Sequence, residues 1–252
     1  MSQTGELSEQ SVESVVAAVY AQATLEPPDS GRVVALGELI ASYPIRVAEV
    51  RGLTYRRAAE FLTAEIGQPV RVPEGPDRRL AGFLYVYCHR GVLLGVILVN
   101  ADDPIVRRRF SAAHELGHYV RHFLPLLART SHGEEPATLI LAEGLGWSEG
   151  STDAGPTGKV ELAGGDESNL GLADSGQLER EADEFAASLL MPAAACERSV
   201  ERLRGHLGVS RNALIRRLAG ELLVSQEALS RRLRELGLLD DRARSGARDS
   251  SA

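Results

Sequence analysis

Cysteine, lysine and aromatic residues are all scarce in this chain of 252 residues, and the scarcity of cysteine removes a class of protein. Two cysteines, Cys88 and Cys196, cannot form a disulfide framework, and neither lies in a C-x-x-C metal pattern. A reducing compartment is expected. No apolar run approaches the length of a membrane span, and the stretch beginning Met1-Ser2-Gln3-Thr4-Gly5-Glu6 has no basic region followed by an apolar core. The expected location is the cytoplasm, with no membrane partner. Lys159 is the sole lysine among 28 basic residues, and 35 acidic residues leave a formal net charge of −7. That balance favours a basic partner surface over nucleic acid. A hydrophobic content of 44% still allows a chain of this length to bury a substantial core.

What the chain does have is His114-Glu115-Leu116-Gly117-His118. On a helix, positions 114 and 118 lie about 40° apart around the axis and roughly 6 Å along it, so both imidazoles can reach one metal. Glu115 is offset from His114 by about 100° and can hold and deprotonate a water without being a ligand. Two histidines can also fall four apart by chance, so the surroundings must decide. Asp102-Asp103-Pro104 reads as an N-cap followed by proline in the first turn, and no breaker follows until Gly117. A helix is therefore predicted from about 104 to 123. Upstream, 82–88 and 92–99 are β-rich runs separated by His89-Arg90-Gly91, which predicts a hairpin. The pattern is α+β: a small β-sheet packed on an active-site helix, with mostly helical N- and C-terminal extensions.

A catalytic zinc takes three protein ligands and keeps one position open. Glu179 is the best downstream candidate, in a predicted helix whose Phe185, Ala186, Leu189 and Leu190 recur at helical spacing. Asp183, one turn on, can accept the N–H of a ligand histidine while Glu179 binds the metal. The competing reading makes Glu179, Glu181 and Glu184 the solvated face of an amphipathic helix. His122 continues the face of His114 and His118, but at about 12 Å from His114 along the axis it cannot share their metal. It is read as a hydrogen-bonded structural histidine, His89 as a turn residue and His206 as a surface residue. His132 is a candidate oxyanion donor.

The strings Arg109-Phe110-Ser111-Ala112-Ala113-His114-Glu115-Leu116-Gly117-His118 and 179–192, Glu179 to Pro192, resemble the two signature blocks of the ImmA/IrrE family of bacterial zinc metallopeptidases. The resemblance runs from about 35 to 240. It implies a zincin-like fold, zinc (Zn2+) as cofactor, His114, His118 and Glu179 as ligands, and Glu115 as catalytic base. It further implies a protein substrate, a helix-turn-helix repressor or similar regulator whose cleavage controls transcription. Between His118 and Glu179 lie 60 residues, more than the resemblance implies.

This extra length falls at about 130–177, where Trp147 is the only aromatic residue and the composition over 148–175 predicts disorder. Residues 137–142 are apolar enough for a short helix or an edge strand. The expected organisation is an N-terminal helix and linker (1–31), a peptidase domain (32–196), a helical C-terminal subdomain (197–239) and a disordered tail (240–252). Within 32–66 the pattern reads as helices interrupted at Pro44 and Gly52.

Val209-Ser210-Arg211-Asn212-Ala213-Leu214 and Val224-Ser225-Gln226-Glu227-Ala228-Leu229 form a weak repeat, each a serine cap followed by an amphipathic helix. The segment 197–239 carries 9 Arg and 5 Glu. That charge permits DNA contact, but it also suits a solvated helical face, and a structural subdomain is expected with no direct nucleic-acid binding. Two other functions stay open: a zinc-binding sensor or scaffold that sequesters a repressor without cleaving it, and a DNA-binding regulator using the Arg-rich helices.

Overall fold

Leu80–Cys88 and Val92–Val99 read as near-continuous apolar runs, the signature of strands buried on both faces. The computed structural model describes residues 11–29, 31–70, 78–89, 92–125, 138–144, 159–163, 175–205 and 210–239. In chain order these form helix α1 (Val12–Gln22), α2 (Leu36–Ala41), strand β1 (Ile45–Val50), α3 (Tyr55–Ile66), β2 (Leu80–His89) and β3 (Val92–Asn100). There follow α4 (Ile105–His118) with a π-helical turn (Tyr119–Phe123), β4 (Thr138–Gly144), β5 (Lys159–Ala163) and α5 (Ser175–Leu190). The last three elements are α6 (Ala193–Arg204), α7 (Arg211–Leu222) and α8 (Gln226–Glu235).

The strands make one mixed sheet in the order β1-β3-β2-β4-β5. The expected hairpin is present, with Phe83 opposite Leu98 and Tyr85 opposite Val96 in the antiparallel β2/β3 pair. β4 pairs with β2 and β5 with β4, both antiparallel. The apolar run at 137–142 is thus an interior strand, and β5 gives order to part of the segment predicted to lack it. His132, Trp147, His206 and the 240–252 tail lie outside the described residues.

One expectation fails in this sheet. The all-helical reading of 32–66 is wrong at 45–50, which pair in parallel with β3 from Ile45 opposite Gly95 to Val50 opposite Asn100. Pro44 cannot continue the preceding helix, and the β-branched Ile45, Val47 and Val50 fit a pleated edge better than a helical turn. Gly52 then turns the chain at φ +57, and Thr54 caps α3 by accepting the Arg57 N–H.

Period-two alternation sorts the sheet's side chains to two faces. On one, Phe83, Tyr85, Val96 and Leu98 pack with Leu53, Ala58 and Leu62 at and around α3. On the other, Gly95 leaves room for the ring of Tyr119, whose carbons would lie 3.2 Å from a Cβ there. The Tyr119 hydroxyl donates to the Leu93 carbonyl at 2.8 Å and its ring meets Tyr43 edge-on. This clamp fixes the C-terminal end of α4 on the sheet. At its other end Pro104 occupies the cap position without a side-chain cap. Buried Asp103 instead pairs with Arg79 and Arg107, while Asp102 accepts the Gly52 N–H at 2.8 Å. Negative charge beside the first turn also suits the helix dipole.

The chain divides into two compact units, one of residues up to Glu26 with Ala35–Leu189, the other of Pro27–Val34 with residues from Leu190 on. In the second, Ser210 and Ser225 accept the N–H groups of Ala213 and Ala228, so both halves of the repeat begin with a serine cap. Several of this unit's arginines are ion-paired: Arg202 and Arg217 to Glu221, and Arg231 and Arg232 to Glu235. Arg232 is buried and also donates to the Met191 carbonyl at 3.4 Å. No described helix is long and apolar enough to cross a membrane.

Candidate metal centre

Residues Ser111 to His118 of α4 are all buried, an unusual run for a helix with arginines at positions 107–109. The cause is cover on two sides: α4 lies against the sheet, and α5 packs on it closely. Gly117 makes the second contact possible. A Cβ at that position would stand 2.8 Å from Cδ1 of Phe185 and 3.3 Å from Cα of Ala182, below any ordinary contact distance. With glycine on one helix and Ala182 and Ala186 on the other, the two backbones approach, and α5 presents Glu179 and Asp183 to the histidines of α4.

Three ligand-type atoms converge there. His114 Nε2 and His118 Nε2 are 2.9 Å apart, and the Glu179 carboxylate oxygens lie 3.3 Å from the first and 3.5 Å from the second. A tetrahedral zinc with bonds near 2.0–2.1 Å requires ligand atoms about 3.3 Å apart. Among the described residues this is the group of acidic, histidine or cysteine side chains close enough to hold a metal ion. Glu179 is 5% exposed whereas Glu184 is on the surface, so the solvated-face reading of Glu179 does not hold. An anion so deeply buried needs a cation or donors to compensate it.

The surroundings suit a cation. His114 Nδ1 is 3.0 Å from Oδ1 of Asp183. A carboxylate only accepts, so Nδ1 carries the proton and Nε2 turns its lone pair toward Glu179. Burial pushes the His118 imidazole well below its ordinary pKa, and the neighbouring His114 and His122 push it further. A neutral ring is what metal binding needs. Glu115 is 1% exposed, at the position next to His114 on the same helix.

His122, on the π turn, lies with Nδ1 3.0 Å from His118 Nδ1 and Nε2 3.2 Å from Glu181 Oε2. Its own ionisation is suppressed by burial, which outweighs the hydrogen bond and charge of Glu181. Glu181 accepts from Gln177 at 2.9 Å and pairs with Arg121 at 3.2 Å. Burial alone would raise its pKa, but these bonds and the His122 contact hold it below the usual carboxylate value. On sequence alone His122 reads as a structural histidine and Glu181 as part of a solvated helical face. The signal that joins them is 122 following 118 at the same spacing as 118 follows 114.

Residues 75–138 match the family model of the IrrE N-terminal-like domain, peptidase M78. Over this stretch the chain is similar to the ImmA/IrrE family. No curated protein matches the chain. The IrrE N-terminal-like match includes His114, Glu115 and His118 and ends before Glu179, so the acidic partner comes from a helix beyond it. Family and geometry together support a metallopeptidase of the IrrE/ImmA type, acting on protein.

Proposed function

We propose that the chain is a zinc-dependent metalloendopeptidase with a zincin-like fold that regulates transcription by cleaving a helix-turn-helix repressor or a similar regulatory protein. The observation that carries this reading is the convergence of His114, His118 and Glu179 on one point, with Glu115 adjacent to His114 on α4. These three residues hold the zinc, and Asp183 keeps His114 in the ligating tautomer. Bound there, zinc supplies Lewis acidity, bringing the pKa of water to about 7 and polarising a peptide carbonyl. Glu115 takes the water's proton on its carboxylate and returns it to the amine nitrogen of the leaving strand, so the carboxylate ends the cycle as it began. The low-dielectric surroundings strengthen each of these interactions. The three side chains are 2%, 2% and 7% exposed, which keeps the site in low-dielectric surroundings.

A basic segment of the regulator suits the net charge of −7. The pairing of Arg202, Arg217, Arg231 and Arg232 with glutamates weighs against their use on phosphates.

The test is Glu115→Gln, which keeps shape and removes the base. The variant should bind zinc and keep its fold while losing cleavage of the repressor in cells and in purified mixtures. If it relieves repression as fully as the parent, the protein acts by binding and the peptidase reading is wrong.

A further inference from the structure

From the hydrogen-bond chain Glu181···His122···His118 we infer that His122 is a positioning residue, holding His118 in the tautomer whose Nε2 lone pair faces the metal. The inference rests on the zinc reading above and assigns work to a histidine too far along the helix to be a ligand.

The argument follows the protons outward from the acceptor. Glu181 is anchored by Gln177 and Arg121, and as a carboxylate it can only accept. His122 Nε2, 3.2 Å from it, must therefore carry a hydrogen. In a neutral ring the other nitrogen is then an acceptor, so His122 Nδ1 presents a lone pair. The atom it faces at 3.0 Å is His118 Nδ1, which must donate. His118 Nε2 is left as a lone pair, aimed at the point shared with His114 Nε2 and Glu179. No charge changes anywhere along the chain. The opposite assignment sets a His122 lone pair against the Glu181 carboxylate and puts a hydrogen on His118 Nε2, where the metal belongs.

The parallel with the other ligand strengthens the case. His114 is fixed directly by Asp183 from α5. For His118, Glu181 lies on the same helix two residues earlier and does not reach the ring itself; His122 spans the gap. The π turn at Tyr119–Phe123 provides the position, with the rings of His118 and His122 centred 5.1 Å apart. Widened turns of this kind are frequent at functional sites. Supports of this type typically change metal affinity by about 10- to 100-fold when removed.

The experiment uses the full chain, labelled with 15N-histidine, in three forms: parent, His122→Phe and His122→Asn. Phenylalanine keeps the ring and loses the acceptor; asparagine places its Oδ1 where Nδ1 stands and can accept from His118. Long-range 1H–15N correlation on metal-free protein reads the tautomer, and competition against a chelator reads zinc affinity. The expected result is His118 protonated on Nδ1 in the parent, a loss of that tautomer in His122→Phe with about 10- to 100-fold weaker zinc binding, and recovery of both in His122→Asn. Glu181→Ala, at a partly exposed position, should shift the His122 tautomer and weaken zinc in the same direction, and serves if His122→Phe does not fold. A parent with His118 protonated on Nε2, or a His122→Phe variant with unchanged affinity, overturns the inference. A parent that binds no zinc overturns the metal reading instead, since the tautomer is still measured without metal.

Discussion

Gly117 and Phe185 are so close that a single methyl on residue 117 would stand 2.8 Å from the phenylalanine ring. This contact sets the distance between the helix carrying both histidines and the helix carrying Glu179 and Asp183, so a glycine that contributes no chemistry fixes the geometry of the site. Gly117→Ala gains about 1 kcal/mol of helix propensity but must push α5 outward, an overpacking cost of about 1–3 kcal/mol. Lower thermal stability together with weaker zinc binding is the expected result, read by calorimetry and chelator competition. Unchanged values for both would show that α5 yields without moving its carboxylates.

Asp183 acts on His114 through Nδ1, and its replacements should rank by what they can accept. Asp183→Asn retains a carbonyl oxygen at the same position and should bind zinc nearly as the parent does. Asp183→Ala should lose about 10- to 100-fold in affinity. Equal affinities for Ala and parent would remove the support assigned to this residue.

Cys196 is buried in the second unit, and burial pushes its thiol up to about 11. At pH 8 the native protein should resist alkylation at this position and become labelled on unfolding, because the thiolate is the reactive form. Mass spectrometry of the peptide containing Cys196 reads this directly. Rapid labelling of the native chain would mean that α6 opens readily.

Arg232 and Arg216 lie in corresponding halves of the repeat but in opposite environments, one buried and bonded to the Met191 carbonyl, the other on the surface. Arg232→Gln should cost about 1–3 kcal/mol of stability, since it leaves buried groups short of a donor, whereas Arg216→Gln should change it by less than about 0.5 kcal/mol. Neither change should create or abolish a mobility shift with duplex DNA at physiological salt. A nanomolar shift lost in Arg216→Gln would make this unit a DNA reader.

The hairpin and the histidine-bearing helix are legible in the sequence because both are local: two apolar β-rich runs around His89-Arg90-Gly91 mark β2 and β3, and the cap and histidine spacing mark α4. The serine caps at 210 and 225 are legible for the same reason. Strand β1 is not, because Ile45–Val50 is short and its pairing edge on β3 lies some fifty residues on in sequence. Glu179 and Asp183 could be named from their helical spacing and family resemblance, yet their approach to His114 depends on the Gly117 contact, which no periodicity encodes. For His122, distance along the helix excludes it as a ligand but says nothing of a role through His118.

Zinc affinity of the Glu179→Ala variant tests the account most directly, because Glu179 is the proposed ligand drawn from beyond the matched domain and from a different helix. The parent should bind about one zinc per chain, and the variant, its fold confirmed by circular dichroism, should lose most of that affinity as a three-ligand site reduced to two. A folded Glu179→Ala protein that binds zinc as tightly as the parent would contradict it.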